Sequence, residues 1–265
     1  MENAALAVRD GECVTARVLV IGGTRGTGFL IAQRLVARGY RVRVLARDPA
    51  SVRDRLDASV EIVRGDITDP TTLPPAMQGV DHIIFTAGVR SGTLAREPIV
   101  KLTDYQGPLN TLAAARQVGF RGRFLYLNSI GINRGSWSAW LLNRIKGNTL
   151  RWRRVVEDEI RRSGIDYTII RLGILVNDPG GHRAVRISQG NLALTPWGRI
   201  ARADAAECFV EALEHPRASR ATFELVWGRG KRRDSWGALL DVLKPDAPQP
   251  MVRADTRRQG AGEGP

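Results

Sequence analysis

Cysteine is nearly absent from this chain, with only Cys13 and Cys208 among 265 residues. Neither stands at metal-ligand spacing from another candidate ligand, so a disulfide framework and a zinc site are both excluded and the pair reads as reduced thiols. Long apolar runs are missing as well. No window of about eighteen apolar residues occurs, and the opening MENAALAVRDGECVTARV has no basic segment leading into an apolar one. Neither a membrane span nor a secretion signal is therefore expected, and a cytoplasmic location follows. Histidine is scarce: His82 lies in an apolar stretch and reads as a satisfied core residue, His215 has no partner at useful spacing, and only His182 stands as a conceivable proton donor. Lysine occurs only at Lys101, Lys146, Lys231 and Lys244, so the formal charge of +13 is carried by arginine. Such a field favours anionic ligands, whether dinucleotide or nucleic acid. The densest basic patch, RGKRR from Arg229 to Arg233, has no interleaved aromatics, so nucleic-acid binding rests on charge alone.

The most informative stretch is VLVIGGTRGTG, from Val18 to Gly28. Four apolar residues suit a strand buried on both faces, and Gly22, Gly26 and Gly28 then punctuate the entry to a helix beginning near Thr27. Glycine at such a turn lets the backbone approach a pyrophosphate, and the helix that follows offers free N–H groups and the positive end of its dipole. Gly22, Thr24, Arg25, Gly26, Thr27 and Gly28 are thus candidate cofactor-binding residues, and the ligand expected is a dinucleotide. The spacing is G-x-x-x-G-x-G, unlike the commoner G-x-G-x-x-G.

With 43% hydrophobic residues the chain can fill one large α/β core. Residues 1–16 show no period and read as an extension. Strands are predicted at 18–21, 41–45, 60–63, 81–86, 123–128 and 166–171, separated by helical segments that include 105–117 and a long charged helix over 142–162. Apolar strands alternating with helices point to a parallel sheet covered on both faces. A turn-rich break, NDPGGHR from Asn177, opens a smaller lobe with strands at 184–187 and 222–226 and helices at 203–214 and 235–243. One domain over 17–244 is expected, with residues 245–265 reading as a disordered tail rich in Pro, Gly and charge.

Cofactor choice is read where the second strand ends, at Leu45-Ala46-Arg47. An NAD site places a carboxylate there to accept from the ribose, whereas a 2′-phosphate needs a cation. Ala46 repels nothing, and Arg47 together with Arg25 can clamp a phosphate, so NADP(H) is preferred. Asp48 keeps NAD(H) open, because a small shift of the strand end would let it serve the ribose.

The chain resembles the atypical short-chain dehydrogenase/reductases of the NmrA-like, NAD(P)-binding group. The matching pieces are IGGTRGTG, LARDP, VRGDITDP around Asp66, FTAG ending at Gly88, DYQGPLNTLAAA from Asp104, YLNSIGI around Ser129, SGIDYTIIRLG from Ser163 and IARADAAECFVEAL around Asp204, in the family's order over 17–226. The resemblance implies a doubly wound, Rossmann-like parallel sheet with a small C-terminal substrate lobe. It implies that Asp66 and Ile67 flank the adenine, that Ala87 and Gly88 pass beside the ribose, and that Gly173 lies beside the nicotinamide. Ser129, at a strand's carboxyl end, is a candidate catalytic hydroxyl. The wider superfamily's Tyr-x-x-x-Lys pair is missing: Lys146 faces Leu142 at that spacing, and alignment through Trp152 and Glu157 puts Arg153 at the lysine and Thr149 at the tyrosine. Arg153 is carried as a candidate for both cofactor binding and catalysis. Leu172 replaces the proline of the family's Arg-Pro-Gly.

Two readings follow. The chain is either an oxidoreductase moving hydride between NADP(H) and a small electrophilic substrate, or a non-catalytic NADP(H) sensor that passes its state to a protein partner. The missing tyrosine favours the second, and the basic helix through Arg162 offers it a surface.

Overall fold

Alternation within the apolar strands decides the architecture. In the computed structural model, which describes residues 6–9, 12–89, 95–231 and 235–248, Val18 and Val20 belong to one buried cluster and Leu19 and Ile21 to another. A strand that is apolar on both faces needs cover on both, and helices supply it.

In chain order the elements are a hairpin of β1 (Leu6–Arg9) and β2 (Glu12–Thr15), then β3 (Arg17–Ile21), α1 (Gly26–Ala37), β4 (Arg41–Ala46), β5 (Glu61–Arg64), α2 (Leu73–Met77), β6 (His82–Phe85), α3 (Glu97–Val100), α4 (Gly107–Gln117) and β7 (Arg123–Ser129). There follow α5 (Trp137–Ile145), α6 (Thr149–Arg162), β8 (Asp166–Leu172), β9 (Ile174–Val176), β10 (Val185–Ser188), β11 (Arg199–Ala201), α7 (Arg202–Ala212), β12 (Ala221–Trp227) and α8 (Trp236–Leu240). The main sheet has eight strands in the order β10-β12-β8-β7-β6-β3-β4-β5. All its neighbours run parallel except β10 against β12. Residues of α1, α7 and α8 close the Val18 face, while α2, α4 and α6 close the Leu19 face.

The chain winds outward from β3 through β4 to β5, then returns to the other side of β3 to lay down β6, β7 and β8. That reversal opens a crevice at the carboxyl ends of β3 and β6, where open α/β sheets take their ligands. The segments after residue 177, expected as a small lobe, contribute β12 and β10 to this same sheet and β11 to a two-stranded parallel sheet with β9.

Several expectations are corrected. The helix foreseen over 142–162 is two helices, because Gly147 and Asn148 take left-handed backbone conformations (φ +51° and +60°) and turn the chain between α5 and α6. Asn143 Oδ1 then accepts from the amide of Leu150 at 2.9 Å and restarts the hydrogen bonding. Residues 6–9 and 12–15 of the expected loose extension pair as the antiparallel strands β1 and β2. Residues 249–265 of the expected tail, and Arg232 and Arg233 of the basic run, lie outside the described residues. Asp246 does not belong to a loose tail: it accepts from Tyr167 Oη at 3.0 Å, Arg161 Nε at 3.1 Å and Thr222 Oγ1 at 2.6 Å. No described helix is long and apolar enough to cross a membrane.

Candidate functional site

The glycine turn after β3 is pressed against the end of β6. Gly22 has φ +90°, and a Cβ there would stand 2.7 Å from the amide nitrogen of Ala87. At Gly28 a Cβ would overlap the carbonyl oxygen of Gly22 and the hydroxyl of Thr86. Side chains are thereby shut out of the floor of the crevice. The N-cap of α1 is Arg25, whose side chain has no acceptor atom, so it cannot satisfy the leading amides of the helix. A bare cradle of backbone with an uncapped helix above it fits a pyrophosphate.

A second cation approaches this cradle from a distant part of the chain. Arg202 Nε lies 4.0 Å from where a Cβ of Gly26 would stand. Its Nη1 is anchored on Asn177 Oδ1 at 2.7 Å and the carbonyl of Leu175 at 3.2 Å. Sequence reasoning passed over Arg202, since nothing in its local pattern sets it apart from any arginine opening a helix.

On the β4 side, the strand ends at Ala46, whose carbonyl accepts from the amide of Gly65 at 3.0 Å. Arg47 and Asp48 follow, both exposed. Asp48 turns toward the next segment, its backbone carbonyl accepting from Ser51 Oγ at 2.9 Å. Arg25, at the N-cap of α1, and Arg47, just after β4, are exposed, and neither forms an ion pair among the described residues. Asp66 shapes the loop after β5, with Oδ1 accepting from both the amide and the hydroxyl of Thr68 at 2.9 Å. The side chain of Ile67 packs over Gly107, and its carbonyl accepts from Asn110 Nδ2 at 2.8 Å. Thr24 is half-buried and Thr27 buried in the turn itself.

The other half of the crevice is organised by a carboxylate that the sequence did not single out as functional. Between α3 and α4 the chain widens into a π-helical turn, Lys101–Gln106, that carries Asp104 inward to 2% exposure. Its Oδ1 accepts from Arg153 Nε at 2.8 Å and its Oδ2 from the amide of Val89 at 2.9 Å. Arg153 also donates to the carbonyl of Leu127 at 3.0 Å, and a Cβ on Gly88 would lie 2.6 Å from its Nη2. Burial opposes the Arg153 charge, but Asp104, with Tyr126, outweighs it and leaves the guanidinium pKa raised. Thr149 Oγ1 stands 3.4 Å from Asp104 Oδ1. Lys146, at the C-cap of α5, has its pKa lowered by burial and then by the charge of Arg153.

Two tyrosine hydroxyls are shifted away from proton exchange near neutral pH. Burial pushes the hydroxyl of Tyr126 well above its usual 10.0, and Tyr167 is raised by burial and then by Asp246. Ser129 ends β7 and donates to the carbonyl of Ile130 at 3.0 Å; no hydrogen bond joins it to Arg153 among the described residues. Leu172 continues β8, its carbonyl accepting from Ile130 at 3.0 Å, so the strand tolerates the missing proline. Gly173 follows directly, with the carbonyl of Gly198 so close that a Cβ there would overlap it. His82 is partly buried at the start of β6, its Nδ1 accepting from the amide of Arg123 at 3.3 Å, while His182 is exposed. No metal-binding cluster occurs among the described residues.

The glycine turn with Thr24, Arg25 and Thr27, and the Ala87–Gly88 segment, therefore meet around one crevice, with Arg153 reaching Gly88. Arg47, Asp66 and Ile67 stand on its β4–β5 side, and Ser129 and Gly173 at the ends of β7 and β8.

Comparison with known proteins agrees with this geometry. A family model described as NAD(P)H-binding matches residues 22–216. A sanguinarine reductase from Eschscholzia californica is 33% identical, over 78% of this chain and 88% of its own. A photosystem II assembly factor from Synechocystis is 26% identical, over 84% of this chain and 64% of its own. The solved short-chain dehydrogenase/reductase from Veillonella parvula in complex with NADP superposes with a TM-score of 0.62 at 15% identity, covering 82% of this chain and 97% of its own.

Proposed function

The chain belongs to the NAD(P)H-binding family, and from that premise we propose that it is a reductase, selective for NADPH, that delivers hydride to a small electrophile. One observation carries the reading: Arg153 is clamped by Asp104 beside Gly88, and the resemblance, taken through Trp152 and Glu157, assigns Arg153 to the position of the wider superfamily's lysine. A bound nicotinamide supplies the hydride. Arg153 stays charged at any working pH and can hold ribose hydroxyls while its field favours an acceptor that gains negative charge. Neither Thr149 nor Leu142, the residues at the superfamily's tyrosine position, can donate a proton of matched pKa, so the substrates suited to this site are those whose reduced forms take protons from water, such as quinones. Ser129 would have to give up its hydrogen bond to the Ile130 carbonyl to donate to a substrate carbonyl.

Selectivity for NADPH rests on Arg25 and Arg47 and on Ala46 standing where a carboxylate would repel a 2′-phosphate. Likeness to a relative named a reductase supports the activity. The test is loss of NADPH absorbance with a panel of quinones, flavins and aldehydes. Turnover of at least one is expected, and a folded, NADPH-saturated protein inert to all would overturn the proposal.

A second reading has an observation of its own. Trp137 and Trp140 are 72% and 61% exposed on α5, which suits a docking face, and one relative is named an assembly factor. As a nucleotide sensor the chain would capture a partner protein at one NADP⁺/NADPH ratio and release it at another. An unchanging set of partners removes this reading.

A further inference from the structure

Beyond the cofactor crevice the molecule carries a second, open cleft. It encloses about 730 Å³ and is lined by Arg183, Arg186, Arg199 and Arg229 with Trp197 and Trp227. The four arginines are exposed, and none forms an ion pair among the described residues. Like charges so crowded repel each other unless an anion joins them. The aromatic part is equally deliberate. Trp227 is pinned by its Nε1 on Asp204 Oδ2 at 3.2 Å, and Arg183 stacks over its ring at 4.4 Å. Trp197 is 85% exposed, a large apolar face left open to a ligand.

The cleft also adjoins the site. Trp197 leads into Gly198, whose carbonyl accepts from the amide of Ile174 at 2.7 Å and presses on Gly173. Its lining thus begins where the family's nicotinamide position ends.

We propose that this cleft binds a planar aromatic molecule bearing two or more anionic groups, its ring against Trp197 and Trp227 and its charges on the arginine fork donors. As a substrate pocket it deepens the reductase reading and rests on it; as a binding site it does not. The test therefore measures binding without NADPH. Calorimetric titration should show naphthalene-2,6-disulfonate binding at least tenfold more tightly than inorganic sulfate, which has charge without a ring, and than 2,6-dihydroxynaphthalene, which has the ring without charge. Arg186→Ala with Arg229→Ala should weaken the disulfonate tenfold or more, and Trp197→Ala should do likewise, with NADPH affinity and melting temperature unchanged in both. Disulfonate binding no better than sulfate, or equal to wild type in the variants, would overturn the proposal. A protein that binds the disulfonate yet reduces no quinone would keep the cleft and lose only the reductase reading.

Discussion

Arg153 works as a fixed charge because Asp104 is buried with it, and the two must be considered as a unit. At 2% exposure Asp104 has given up most of its hydration, and Arg153 at 2.7 Å returns it as an ion pair. Asp104→Asn removes the countercharge but leaves the guanidinium in place, so a loss of about 3–5 kcal/mol of stability is expected. Urea unfolding would measure it, and a loss under about 1 kcal/mol would show the pair to be better solvated than its burial implies. Arg25 and Arg47 are the opposite case, exposed charges whose value appears only when a phosphate arrives. Replacing both by alanine should reduce the NADPH-to-NADH affinity ratio by about a hundredfold, roughly tenfold for each charge-assisted contact. An unchanged ratio by calorimetry would refute their role. That these two arginines follow a strand end and sit in a glycine turn was readable from the sequence, because both are local features. Asp104 and Arg202 were not. Their roles come from a π-helical turn and from a contact across 176 residues of chain, and neither leaves a local mark.

At the scale of elements, strands were the most legible because apolar runs of four to seven residues between turn signals have few alternatives. The β3 to β8 succession and the β12 and β10 strands follow from that pattern. The break at Gly147-Asn148 was missed, since charged helical periodicity continues across it and only a left-handed pair of residues divides α5 from α6. The strands β9 and β11 are three residues each, too short to show a period. Asp246 shows how a segment with poor composition can still be structural. It ties α6, β8 and β12 together through Arg161, Tyr167 and Thr222, and its Oδ1 accepts from the amide of Thr222 at 3.1 Å. Asp246→Ala leaves four donors without their acceptor, and a loss of about 2–4 kcal/mol is expected. The same variant should let the raised pKa of Tyr167 fall, because one of its causes is the Asp246 charge. Ultraviolet titration of the phenol reads this, and an unmoved midpoint would mean that burial alone raises it.

Across the whole molecule the +13 charge makes acid a stress, because every carboxylate protonated adds to an existing excess of positive charge. One group gives this general effect a specific part. His82 is lowered from its usual 6.5 to about 4 by burial and then by Arg123. Above pH 6.5 folded and unfolded chains both hold it neutral. Between 6.5 and about 4 the unfolded chain takes up a proton that the folded one refuses, so stability falls as pH falls through this window, by about 3 kcal/mol in total. Glu214 works the other way, since burial raises its carboxyl and lets the folded chain take the proton first. A bare pH profile mixes the two with the charge excess, but a difference between variants does not. His82→Asn keeps an acceptor for the Arg123 amide and removes the titration. The stability gap between this variant and wild type should therefore shift in favour of the variant as pH drops from 6.5 to 4, and stay level above 7. Parallel profiles would mean that His82 gains its proton in the folded state as easily as in the unfolded, and that its burial is shallower than the strand position requires.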